Sequence, residues 1–101
     1  MIKHIVMFKF KEEANGKTKA ENLIEARAKM MKLKDEIPEI LEMQVYIGEG
    51  SAPDTNYDYA LVSEFESMET LNSYQVHPAH VAFGKYIGEL RELRACMDYE
   101  I

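Results

Sequence analysis

Apolar and polar positions alternate from the start of the chain: Ile2, His4, Val6, Phe8 and Phe10 fall on one side of an extended backbone, Lys3, Ile5, Met7 and Lys9 on the other. A period of two over 2–10 predicts a strand. Apolar side chains occur on both sides in mid-strand, so both faces call for a cover. Asn15-Gly16 marks a turn, and Thr18-Lys19-Ala20-Glu21 carries a capping box, in which threonine hydroxyl and glutamate carboxylate satisfy free N–H groups at a helix start. The period then changes. Ala20, Leu23, Ala26, Met30, Leu33 and Ile37 recur at three- and four-residue spacing, giving the apolar stripe of a helix. Pro38 ends it, because the residue before a proline is pushed out of the helical region.

Alternation returns in Leu41, Met43, Val45 and Ile47 against Glu42, Gln44 and Tyr46, a second strand. A third spans 57–65, with Tyr57, Tyr59, Leu61 and Phe65 on one face and Ala60 and Val62 on the other. Between them, 48–56 holds two glycines, Pro53 and Asp54 and reads as the longest and most mobile loop. Ser67 caps a short helix through Glu69, Leu71 and Tyr74. Pro78 has no N–H and a preset φ, so it suits the first turn of a new helix with His77 at the cap. His80, Phe83, Ile87 and Leu90 share one face of that helix, so His80 is expected to look inward and His77 to meet backbone or solvent. Gly84 and Gly88 are expected to permit close approach of another backbone. Leu93, Ala95, Met97, Tyr99 and Ile101 alternate with Arg94, Cys96, Asp98 and Glu100 in a fourth strand.

The order β-α-β-β-α-β is that of a ferredoxin-like α+β unit, one antiparallel four-stranded sheet with helices on one face. A single domain over 1–101 is expected. The helices can cover only one face, and the other would leave a large apolar patch that soluble monomers avoid. Pairing two sheets about a twofold axis covers it, so the expected partner is a second copy, a homodimer through the sheet face with a closed α+β barrel core.

Composition narrows the function classes. Of 101 residues, 47% are hydrophobic and 30% charged, which argues against disorder. The net charge of −6 works against nucleic acid as a partner. The Lys29, Lys32 and Lys34 cluster is interrupted by Asp35 and Glu36 and reads as a solvated helix face. No apolar stretch has the length of a membrane span or the form of a signal peptide, so no membrane partner is expected. The one cysteine, Cys96, excludes an intrachain disulfide and fits a reducing cytoplasm. Without a base beside it, it reads as a small packed or interface residue.

The densest proton-transfer chemistry lies in Ser73–Phe83, where Tyr74, His77 and His80 surround a helix start. Histidine exchanges its proton near neutral pH. One reading makes His80 a general base and Tyr74 a hydrogen-bond donor to an oxygen that gains charge. His4 and His77 then join the ligand-binding candidates with an apolar wall of Val6, Phe8, Leu61 and Phe83, around an enclosed space of roughly 300 Å³ or more. A second reading has His77 and His80 bonding backbone groups freed by the helix break, with Tyr74 packed at the rim and His4 a bonded core residue. Zinc on His77-x-x-His80 lacks the thiolates a structural site needs, so no metal is expected. A purely structural or interaction protein is the remaining class.

The opening Ile2–Phe10, the strand end Ser63-Glu64-Phe65-Glu66-Ser67, Tyr74 with His77-Pro78-Ala79-His80-Val81, and the closing Asp98-Tyr99 together resemble the stress-responsive A/B barrel (Dabb) domain over essentially the whole chain. The resemblance implies a dimeric ferredoxin-like barrel. Some plant relatives have no agreed reaction. One plant member closes a linear polyketide by an intramolecular aldol condensation with no metal or organic cofactor. Its base and supporting phenol correspond to His80 and Tyr74, and a pocket histidine to His4. Cofactor-free chemistry on a hydrophobic or polyketone-like ligand is therefore what the resemblance implies.

Overall fold

The computed structural model describes residues 1–101. Its elements are β1 (Ile2–Phe10), a small hairpin of β2 (Glu13–Ala14) and β3 (Lys17–Thr18), α1 (Lys19–Glu36), β4 (Glu42–Ile47), β5 (Tyr59–Phe65), α2 (Met68–Gln75), α3 (Pro78–Leu90) and β6 (Arg91–Glu100). β4, β5, β1 and β6 form one sheet in that order, all neighbours antiparallel. This is the ferredoxin-like α+β topology expected from the element order. The hairpin is an addition. Asn15 and Gly16 both have positive φ (53° and 76°), the backbone a two-residue hairpin turn needs.

The predicted Thr18 capping box forms, and the predicted Ser67 cap is a second box. The Thr18 hydroxyl accepts from Glu21 N–H at 3.2 Å, and the Glu21 carboxylate accepts from Thr18 N–H at 3.0 Å. Ser67 and Thr70 make the same exchange at the start of α2. On α1, Leu23, Ala26, Met30 and Leu33 are buried, but the first expected stripe position, Ala20, is exposed. Asn22 is buried in its place, because its amide donates to the Ala14 carbonyl and ties helix to hairpin.

Burial alternates along the central strands. Ile2, His4, Val6, Phe8 and Phe10 on β1 are buried with Tyr59, Leu61, Ser63 and Phe65 on β5 and Met43 and Val45 on β4. The helices pack on this face. Tyr59 shows how tightly: its ring stacks on Phe10, and its hydroxyl donates to the Ala26 carbonyl in mid-α1. The opposite face stays open. Ile5, Met7, Ala60 and Val62 run across its middle, flanked by Tyr46, Leu93 and Met97, each more than half exposed. No helix is long and apolar enough to cross a membrane.

Two expectations need correction. A side chain placed at Gly84 or Gly88 would meet nothing within 4 Å, so neither glycine admits another backbone. Cys96 is exposed and so is not a packed core residue; it pairs with Val6 across β1 and β6.

Candidate active site

The break between α2 and α3 is where sequence and geometry agree most closely. Val76 ends α2, His77 takes extended backbone as the cap of α3, and Pro78 opens that helix. The His77 side chain turns back on its own helix, where Nδ1 accepts from Ala79 N–H at 3.1 Å. His80 lies within the first turn, and its Nδ1–H donates to the Gln75 carbonyl at 3.0 Å, across the break. That bond fixes the tautomer, leaving Nε2 as the acceptor with no protein partner.

His80 faces a cavity of about 110 Å³ between the sheet and α1–α3. Tyr74 packs against it with ring centroids 4.3 Å apart, and His4 stands edge-on to Tyr74 at 6.1 Å. Val6, Phe8, Leu61 and Phe83 supply the expected apolar wall, together with Met30 and Ile87. The structure therefore brings together every site residue singled out from sequence except His77, whose side chain lies outside the cavity lining and serves as a cap. The cavity is smaller than the roughly 300 Å³ expected. Its volume equals about four waters. A larger, more polar cavity of about 260 Å³ lies under the 48–56 loop, lined by Lys9, Lys19 and Asp58, and contains neither His80 nor Tyr74.

Electrostatics give these groups different capacities. Burial pushes the His80 pKa below the ordinary imidazole value; the Gln75 carbonyl opposes this, and His4 and Arg94 reinforce it. His80 is thus neutral, with a free lone pair, at neutral pH. Burial pushes the Tyr74 phenol up, so it remains a donor. Its hydroxyl is the one buried side-chain polar atom without a hydrogen-bond partner. Buried polar groups are almost always satisfied, and an orphaned one on a residue that lines a cavity calls for a ligand or a water.

Asp98, Arg91, Arg94 and Cys96 escaped the sequence reading of the site. His4 is buried and its Nδ1 is held by the Asp98 carboxylate, a partner that only the pairing of β1 with β6 reveals. A signal existed, since the first and last strands of this fold pair and Asp98 lies near the end of the last. Arg91 and Arg94 also line the cavity. Cys96 Sγ is 3.9 Å from His4 Nδ1, so His4, Cys96 and Asp98 place three metal-ligating atoms within 4.8 Å. Burial, then Asp98, push the Cys96 thiol up, which keeps it protonated and a poor ligand. The trio acts as a histidine oriented by a carboxylate.

A neutral imidazole, an unpartnered phenol and an apolar wall on a ferredoxin-like frame define a site suited to acid–base chemistry on a small organic molecule. The Stress responsive A/B Barrel Domain (Dabb) profile matches residues 2–101, and the chain belongs to that family. It is 31% identical to the olivetolic acid cyclase of Cannabis sativa, over 97% of this chain and 94% of that protein. A dimeric ferredoxin-like protein from Bacteroides fragilis is 32% identical, superposes with a TM-score of 0.86, and is matched over 99% of this chain and 95% of that one. The hydroxynitrile lyase of Passiflora edulis, 22% identical, shares the fold with a TM-score of 0.78 over 99% of this chain and 92% of that one.

Proposed function

We propose that this protein is a cofactor-independent acid–base enzyme that binds a small, largely apolar carbonyl compound beside His80. His80 Nε2 removes a proton from the carbon next to a carbonyl, and the Tyr74 hydroxyl donates to the oxygen that gains charge as the enolate forms. The enolate carbon then attacks a second carbonyl of the same molecule, whose oxygen takes the proton back from His80, or the carbon itself takes that proton back. His4, oriented by Asp98, and the wall of Val6, Phe8, Leu61 and Phe83 hold the carbon skeleton. The observation that carries this reading is the juxtaposition of a tautomer-fixed, neutral His80 with the one orphaned buried hydroxyl. The relation to a polyketide-cyclising family member supports it.

The functional unit in this reading is a homodimer closed through the open sheet face. The apolar strip of Ile5, Met7, Val62 and Met97 needs a cover, and the Bacteroides relative is described as dimeric. The lone thiol fits a reducing, cytoplasmic compartment.

Exchange of α-protons for deuterium, followed by proton NMR on a panel of methyl ketones and 3,5-diketones, tests the elementary step without knowledge of the natural substrate. The expected result is saturable acceleration that His80→Ala abolishes while the dimer survives. A second reading also has an observation behind it: both break histidines bond backbone groups. If no ketone binds or exchanges and His80→Ala only lowers the melting temperature, that structural role replaces the catalytic one.

A further inference from the structure

Arg91 and Arg94 are three residues apart, a spacing that puts side chains on opposite faces of a regular strand. Here both face the cavity. The reason is a register shift at the start of β6, where Lys9 pairs with Leu93 but Phe10 pairs with Arg91, leaving Glu92 as the extra residue. Bulges of this kind redirect side chains beside active sites. Phe10 and Phe8 point toward the helices, so their partners Arg91 and Arg94 do too.

Neither guanidinium has a carboxylate. The ion pairs of the molecule are Lys3–Glu64, His4–Asp98, Lys17–Glu25, Lys19–Glu12 and Lys19–Asp58. The chain has six more acidic than basic side chains, yet none pairs with these two. Asp98, the acid on the same side of β6 nearest the cavity, is occupied by His4. Arg91 lies 6.0 Å from the Phe8 ring centroid, at the edge of cation–π range, so an aromatic face is its one evident partner. Two like charges held at one cavity wall favour an anion between them. The planar fork of arginine matches a carboxylate, and the apolar wall requires that carboxylate to sit on a carbon skeleton.

We propose that the site takes its substrate as a free oxo-carboxylic acid, the carboxylate held by Arg91 and Arg94 and the carbon beside the ketone presented to His80. The inference rests on the proton-transfer reading above and adds the charge state of the substrate to it. A neutral ester of the same skeleton is discriminated against, because it leaves both guanidinium groups unpaired.

Levulinate and methyl levulinate share a skeleton and differ in that charge. Titrating each into isotopically labelled dimer, with signals of His80, Tyr74 and Phe8 followed by NMR, measures affinities in the millimolar range. Levulinate is expected to bind at least about tenfold more tightly than its ester, and rising salt should weaken only levulinate. In R91Q/R94Q the preference should collapse to within about twofold, with ester binding unchanged. The single variant R94K keeps the charge but loses the fork, and should retain part of the preference. H80Q should keep the preference, since it removes the base and not the anion site. Equal binding of acid and ester by the wild type, or a preference that survives in R91Q/R94Q, overturns the proposal and leaves the proton-transfer reading standing. If neither compound moves the cavity signals, the proposal falls, and the exchange panel alone decides the proton-transfer reading.

Discussion

The two faces of the sheet are built from the same four strands and lack opposite things. On the helix-covered face, apolar groups are packed and polar ones bonded: Tyr59 reaches the Ala26 carbonyl, Ser63 the His4 carbonyl and His4 the Asp98 carboxylate. Among its fully buried side-chain polar atoms the exception is the Tyr74 hydroxyl. On the open face the polar groups are solvated or paired, as Lys3 is with Glu64, and it is the apolar side chains that lack neighbours. A missing polar partner in a packed interior points to a small molecule. Missing apolar partners over a broad surface point to another protein surface. Strand alternation lets one set of residues meet both needs without conflict.

That contrast can be broken from either side. The largest effect is expected from Val62→Lys, which puts a charge at the centre of the open face between Ile5 and Gln44. Sedimentation should then report a monomer where the wild type is expected to be a dimer; an unchanged mass would remove the open face from the assembly. On the covered face, His80→Gln should lower α-proton exchange by about 10²–10⁴-fold without changing the mass. The same residue sets the pH dependence. Its folded pKa lies below the ordinary value, so activity should hold as pH falls past 6.5 and disappear only as pH falls through the depressed folded pKa. The stability His80 contributes follows the same sign, present above its unfolded pKa and lost below the folded one. A profile that loses its acid limb at or above pH 6.5 would contradict this assignment.

Tyr74→Phe sharpens the comparison further. It deletes a hydroxyl that is buried without a partner, so unfolding should show no loss of stability, or a gain of about 1 kcal/mol, while exchange activity falls. A purely structural tyrosine would show no such division. The smallest effect is expected from Lys3→Gln. Its pair with Glu64 is solvent-screened at the rim, and neither mass nor melting temperature should move measurably.

Local signals made much of this legible beforehand. The Thr18 box, the Ser67 cap, the Pro38 stop and the His77-Pro78 break each operate within a few residues, and all appear where the pattern put them. Tyr74 and His80 could be paired for the same reason, both flanking one break. The β2–β3 hairpin was invisible except for its turn, because strands of two residues are too short to display a period. The parts of the site supplied by β6 depend on register across the sheet. Asp98 meets His4 through pairing between residues far apart in sequence, and the bulge that brings Arg91 and Arg94 together defeats the alternation rule used to sort faces. The contact between the Tyr74 and His80 rings depends on how α2 and α3 meet in space, which spacing does not determine.

α3 runs into β6 with no loop between Leu90 and Arg91. The phenol, the base and both arginines therefore belong to one uninterrupted segment, Tyr74 to Arg94, laid over a floor contributed by other elements. Such an arrangement works as an exchangeable cassette. A related chain could acquire a different ligand preference by altering this segment alone, while β4, β5 and α1 continue to maintain the frame beneath it.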